Sequence, residues 1–174
     1  MSYLVPAEFV AKMVDAGESK IYMSTRDTLI RAYMAGAILA LAAVFAVSAT
    51  VMSGSALVGA ILFPVGFCML YLLGFDLLTG VFVLTPLAWL DKRPGVTINA
   101  ILKNWGLVFI GNFLGALTVA FMMAFVFTYG FSTPPNDIGT KIGHIGEART
   151  LGYAQYGLMG WLTGALGGAG IELP

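Results

Sequence analysis

The chain has 174 residues, of which 59% are hydrophobic and 10% charged, with a mean hydropathy of +0.88 and nine basic side chains cancelling nine acidic ones. A water-soluble domain carries about 25% charged residues, so most soluble classes are excluded, and the neutral balance offers no basic face to a nucleic-acid backbone. The single Cys68 excludes an intrachain disulfide and any thiol-clustered metal site.

Apart from Asp76 and Glu172, the charges fall within residues 1–31, 91–103 and 137–149, and the tracts between them are apolar. Tracts of about 20 residues match a bilayer core at about 1.5 Å per residue, which predicts an all-α, polytopic transmembrane helix bundle embedded in lipid. Residues 1–28 are too polar to read as a signal peptide, with Glu8, Lys12, Asp15, Glu18, Lys20, Arg26 and Asp27 interrupting any apolar run. Pro6 and Glu8 read as a helix start, Phe9, Val10, Met13 and Val14 supply an apolar stripe, and Gly17 suits a stop. This predicts a short amphipathic helix on the membrane surface or beneath the bundle.

The transmembrane domain is assigned to 29–174. Its first span is predicted over 32–52, with Gly36, Ala40, Ala43 and Ala46 near one stripe where another helix can approach closely. The next apolar tract, 56–90, would reach about 50 Å as one straight helix and overshoot a hydrocarbon core of about 30 Å. It must break, and Gly74-Phe75-Asp76-Leu77-Leu78-Thr79-Gly80 interrupts it with two glycines, an acid and a hydroxyl. Two half-length pieces are expected, 56–73 and 80–90, the second containing Pro86. Unwound backbone at membrane depth is tolerated only where protein or a water-filled path covers it. The break is therefore expected to line a path, as discontinuous helices do in transporters.

Asp91-Lys92-Arg93-Pro94-Gly95 reads as a turn into a third span, 105–129, which carries a GxxxG at Gly111 and Gly115 continued by Ala116 and Ala120. Lys92, Arg93 and Lys103 join Lys12, Lys20, Arg26 and Arg31 on the cytoplasmic side by the positive-inside rule. The N-terminus is then cytoplasmic, and the broken element counts as one crossing. Residues 130–152 are expected to form an outer loop, followed by a partial span over 153–169 that dissolves into Gly164, Gly167, Gly168 and Gly170. Gly160, Gly164 and Gly168 would form a packing face if that stretch is helical.

Several motifs together carry a resemblance. Pro6-Ala7-Glu8 with Gly17 and Lys20, the Gly74–Gly80 break, and Lys103-Asn104-Trp105 followed by Gly111-Asn112 and Leu114-Gly115-Ala116-Leu117 resemble, in order and spacing, the formate/nitrite transporter family. The resemblance covers residues 1 to about 163. It implies a homopentameric channel in the plasma (inner) membrane for small monovalent anions such as formate or nitrite, with six spans per protomer. On that basis the chain is expected to be the first half of an aquaporin-like inverted-repeat fold plus the start of the fourth span. Beyond Thr163 the sequence departs from the family pattern, and a frameshift, premature stop or split gene is the expected reading of that tail.

The resemblance further implies a constriction formed by Phe63, Phe67, Leu77, Leu78 and Thr79, supported by Gly74, Asp76 and Gly80. Apolar rings would strip water and exclude hydrated cations, while the Thr79 hydroxyl and loop amides would donate to a small anion. Simpler roles stand beside these: Phe63 and Phe67 as an i, i+4 packing pair, and Thr79 as the cap of the second half-helix. Asp76, the only acid well inside an apolar tract, is either a structural group turned from the path, bonding loop amides or a neighbouring protomer, or a proton-coupling group. Arg149 sits about where the family has a basic residue in its outer vestibule, with Lys141 the alternative, and either would concentrate anions. His144 reads as a surface residue, and no metal site is expected. Asn104 and Asn112, eight residues apart on span three, are expected to hydrogen-bond between helices.

No catalytic constellation or cofactor motif is found within the spans. A haem-anchoring subunit would need histidines there, and His144 is the only histidine in the chain. The predicted function is anion transport without enzymatic activity or cofactor. The alternative is a truncated, non-conducting fragment or structural subunit that needs a second half to form a pore.

Overall fold

The structure is a computed structural model that describes residues 5–154, 156 and 157. The expected span 153–169 lies almost wholly outside the described residues, and Gly160, Gly164 and Gly168 lie outside them altogether. Seven helices occur among the described residues: α1 (Pro6–Tyr22), α2 (Thr25–Ser53), α3 (Ala56–Leu62), α4 (Val65–Leu73), α5 (Leu78–Leu90), α6 (Ile98–Phe127) and α7 (Asp137–Ala154). No strand occurs among these residues. The chain is an all-helical membrane protein. The helix α2, the stretch Ala56–Leu73 and the helix α6 are each long and apolar enough to cross a bilayer, and α5 is a shorter apolar helix.

Local chemistry accounts for the boundaries. Pro6 opens α1, with Glu8 in its first turn and Lys20 in its last, each at the end where its charge suits the helix dipole. Gly17 does not stop this helix. It lies buried mid-helix, where a Cβ would sit 2.0 Å from the Leu84 carbonyl oxygen, so its role is close approach to α5. Ser24 caps α2 by accepting the Asp27 amide at 3.1 Å, and Gly54, at φ +66°, ends it. Thr97 likewise caps α6 through the Ala100 amide at 3.2 Å, so α6 begins seven residues before the predicted 105.

The long apolar tract breaks twice. Pro64, which has no amide proton, separates α3 from α4, and residues 74–77 separate α4 from α5. The second break is shorter than the sequence suggests, because Leu78, Thr79 and Gly80 already form the first turn of α5. The expected outer loop is also partly helical: Asn136 accepts the Gly139 amide at 2.9 Å, and α7 starts at Asp137.

The bundle is organised around the α2–α6 crossing. A Cβ at Gly36 would lie 2.0 Å from the Asn112 carbonyl oxygen, one at Gly115 2.0 Å from that of Tyr33, and one at Gly111 2.5 Å from the Ala32 methyl. These glycines let the two backbones touch, as close membrane helix pairs require. The buried stripe of α2 is Ala32, Ala35, Gly36, Ala42 and Ala46, so Ala40 and Ala43 stand to one side of it. On α6, Val119 rather than Ala116 or Ala120 continues the buried face. Two small clusters, Ala32–Val81–Val108 and Ala88–Val96–Ile101, join α5 to this pair, and Trp105 packs on both. The α1 helix lies against α5, and its end meets the turn between α5 and α6: the Tyr22 hydroxyl donates to the Pro94 carbonyl at 2.6 Å.

Candidate functional site

The 74–77 break is built by ordinary helix-ending chemistry. Gly74, at φ +68°, takes the left-handed conformation that ends α4, and the Phe75 amide reaches back to the Leu70 carbonyl at 3.1 Å. Arg31 Nη1 donates to the freed Gly74 carbonyl at 3.3 Å. Leu77 is extended and opens α5, its carbonyl accepting the Gly80 and Val81 amides at 2.9 and 3.2 Å. Asn112 on α6 faces this segment. Its Oδ1 accepts the Leu78 amide at 2.9 Å, and its Nδ2 donates to the Asp76 carbonyl at 2.9 Å and the Ala32 carbonyl at 2.8 Å.

The Asp76 side chain, only 2% exposed, forms an ion pair through Oδ1 with Lys20 Nζ of α1, itself 15% exposed. Its other oxygen, Oδ2, is buried without a hydrogen-bond partner among the described residues. Within the chain this partner is Lys20 rather than the loop amides expected from the sequence. The physical reason is that a buried charge is costly unless it is paired and hydrogen-bonded, and the Lys20 ammonium supplies both the opposite charge and a donor. Asn104 secures the same helix end, donating from Nδ2 to the Lys20 carbonyl at 3.2 Å. Both asparagines therefore bond between helices, as expected.

A cavity of about 470 Å³ adjoins the break. Phe67 and Tyr71 of α4, Leu77, Thr79 and Gly80, and Met13 and Lys20 of α1 contribute to its wall, together with Gly74 and Asp76. Among the expected path residues, Phe67, Leu77 and Thr79 thus meet around one space with all three supporting residues. Phe63 is not in that wall and packs edge-on against Phe67, with ring centroids 5.5 Å apart. Leu78 turns the other way, onto the Ala32–Val81–Val108 cluster. Thr79 does not cap α5: the cap position is Leu77, and the Thr79 hydroxyl makes no hydrogen bond among the described residues. Arg149 and Lys141 are exposed on α7 and take no part in lining the cavity. His144 Nδ1 lies 3.8 Å from Glu147 Oε2, both well exposed, and no metal-binding group of side chains occurs among the described residues.

Lys20 and Asn112 both lie in motifs read from the sequence, but the motifs do not say which groups they bind. Lys20 belongs to the polar N-terminal segment, but the only acid inside an apolar tract must find a cation, and that requirement points to a lysine or arginine packed on the break. Asn112 follows the GxxxG glycine of span three, and an amide beside a close helix crossing is the signal for a backbone clamp.

These features define a helical membrane protein with a discontinuous span that borders a largely apolar cavity. The profile described as Formate/nitrite transporter matches residues 7–169, and the chain belongs to that family of membrane transporters. It is similar to the uncharacterized transporter YrhG of Bacillus subtilis, at 30% identity over 129 residues that cover 70% of this chain and 47% of that protein. It is similar to the formate channel FocA of Escherichia coli K12, at 32% identity over 127 residues covering 69% of this chain and 43% of the relative. The formate channel BtFdhC of Bacillus thuringiensis is 28% identical over 129 residues, 70% of this chain and 48% of its own. The chain thus spans just under half the length of the curated relatives it matches. No solved structure matches it significantly.

Proposed function

We propose that this chain contributes the broken-helix wall of a path for small monovalent anions, formate first and nitrite second, across a plasma membrane. The observation that carries the reading is the pairing of Asp76 with Lys20 beside an otherwise apolar cavity. An ionised carboxylate alone would repel an anion. Neutralised by Lys20, it leaves Phe67 and Leu77 to exclude hydrated cations, while the Thr79 hydroxyl and the remaining Lys20 protons donate to the anion. Formate is favoured because relatives in both Escherichia and Bacillus are named formate channels. Arg149 or Lys141 would raise the anion concentration at the outer mouth. In this reading transport needs no cofactor and no covalent step, and the path repeats in a homopentamer.

A second reading is favoured by the share of the relatives that is matched: the path closes only when a further set of helices, equivalent to the unmatched part of those relatives, faces the 74–77 break. Isotopic formate uptake into liposomes tests both. Uptake with this chain alone supports the first reading. Uptake only after co-reconstitution with the second half of a full-length relative supports the other, and is the expected result. Absence of uptake in both preparations, with the intact relative active in parallel, overturns the transport assignment.

A further inference from the structure

We infer that Asn112 is a positioning residue that sets the shape of the 74–77 break and, through it, the anion selectivity of the cavity; the selectivity part rests on the transport reading above. Asn112 does not line the cavity. Its amide instead joins three backbone groups on three elements: the Ala32 carbonyl of α2, the Asp76 carbonyl of the break and the Leu78 amide that opens α5.

An asparagine side chain carries two N–H donors and one carbonyl acceptor, and here both kinds of atom are committed. The two groups it serves at the break have nowhere else to go. The Leu78 amide is among the first four of a helix, which find no partner within the helix, and the Asp76 carbonyl accepts no other hydrogen bond among the described residues. At membrane depth water cannot replace these bonds.

Close packing of α2 and α6 is supplied by Gly36, Gly111 and Gly115 and needs no amide at 112. Gly36 instead brings the Asn112 backbone against α2, which puts the side-chain amide within reach of Ala32 while its other atoms meet the break. By holding the Asp76 carbonyl on the α6 side, Asn112 leaves the Asp76 carboxylate directed to Lys20. By fixing the Leu78 amide, it fixes the start of α5 and hence Leu77 and Thr79 at the cavity wall.

The test compares the native chain with Asn112→Leu and Asn112→Asp in lipid nanodiscs by residue-resolved amide exchange. In Asn112→Leu the Leu78 amide is expected to exchange at least about tenfold faster, the consequence of losing its buried acceptor, while α2 and α6 amides stay protected as in the native chain. Asn112→Asp keeps an acceptor for Leu78 and is expected to keep more of that protection, while Asn112→Ala, which like the leucine has no acceptor, serves as the test variant if the leucine variant does not fold. In whichever reconstitution conducts, the formate-to-acetate flux ratio is expected to fall by about tenfold, since discrimination of one methyl group depends on wall geometry. Unchanged Leu78 exchange in a folded leucine or alanine variant overturns the inference, as does a uniform rise across α2 and α6. A native protein with no anion flux overturns the transport reading instead, and the exchange data then decide the positioning role alone.

Discussion

At Asp76 a single carboxylate sits beyond the reach of water, and the fold answers it with one lysine from a helix 56 positions away in sequence. Burying an ion pair yields little net stability, but removing one partner leaves an uncompensated charge. Lys20→Met is therefore expected to destabilise the protein by about 3–5 kcal/mol, and Lys20→Met/Asp76→Asn to recover most of that loss. Thermal unfolding in detergent of the two single variants and the double variant measures the coupling. The helix-crossing glycines give a contrast within one residue type. A methyl at Gly36 meets the Asn112 backbone, which cannot swing aside as a side chain could, so Gly36→Ala is expected to cost about 1–3 kcal/mol. Gly106, on the same α6, has nothing within 4 Å of a built Cβ. Gly106→Ala is expected to stabilise by up to about 1 kcal/mol through helix propensity, and the same melting experiment reads both signs.

Helix α1 is attached to the rest of the bundle by packing at Gly17 and by a charged cluster centred on Arg93. The guanidinium donates to Asp91 and Asp15 at 2.8 Å each and to Glu18 at 3.2 Å, linking α1 to the α5–α6 turn. The hydrogen bond to Asp91, with the fields of Asp15 and Glu18, holds the Arg93 pKa above its ordinary value against a smaller opposing effect of burial. A raised folded-state pKa stabilises wherever the group is charged and is lost only as pH climbs through that raised value. Arginine titration therefore contributes no loss of α1 docking across the neutral range. Salt does act, because these side chains are partly exposed and screened over about 8–10 Å at moderate ionic strength. Arg93→Gln is expected to speed proteolysis and amide exchange within residues 6–22 while leaving α2 and α6 unchanged, and raising the salt concentration should reproduce part of that effect in the native chain. The α5 helix is gripped differently: Trp105 Nε1 donates to the Val81 carbonyl and the Thr85 hydroxyl, at 3.2 and 3.0 Å, in the turn preceding Pro86.

For the molecule as a whole, the contact between α1 and the 91–95 turn brings two basic segments to the same end of the bundle. Between them the chain runs out along α2 and returns along the broken element α3–α4–α5. A topology experiment follows from this. In a Cys68→Ser background, single cysteines at positions 12 and 92 are expected to react with an impermeant thiol reagent only from the cytoplasmic side, and one at position 133 only from the opposite side. Labelling of positions 12 and 92 from opposite faces would rule out this topology. Large apolar side chains such as Phe45, Leu57, Phe109, Phe113 and Phe121 are exposed on the bundle surface, which costs nothing against lipid and suits a chain whose internal packing relies on small residues.

Composition and the spacing of the charged islands were enough to determine the membrane class, because a bilayer sets the length of an apolar tract and penalises every charge within it. The need for a break between residues 56 and 90 was equally legible, since no straight helix of that length fits the hydrocarbon core. The order of the motifs carried the family. Other features waited on tertiary structure. Gly17 reads as a stop by local propensity but packs mid-helix against α5, and Pro64 adds a second interruption that the longer break overshadows. Leu78 and Thr79 look alike as loop residues, yet once α5 starts at Leu78 the helical turn sends one to the core and the other to the cavity. The partner of Asp76 and the three backbone groups held by Asn112 could not be read from the chain, because each joins elements distant in sequence. Only the α2–α6 crossing and the docking of α1 bring those groups within hydrogen-bonding distance.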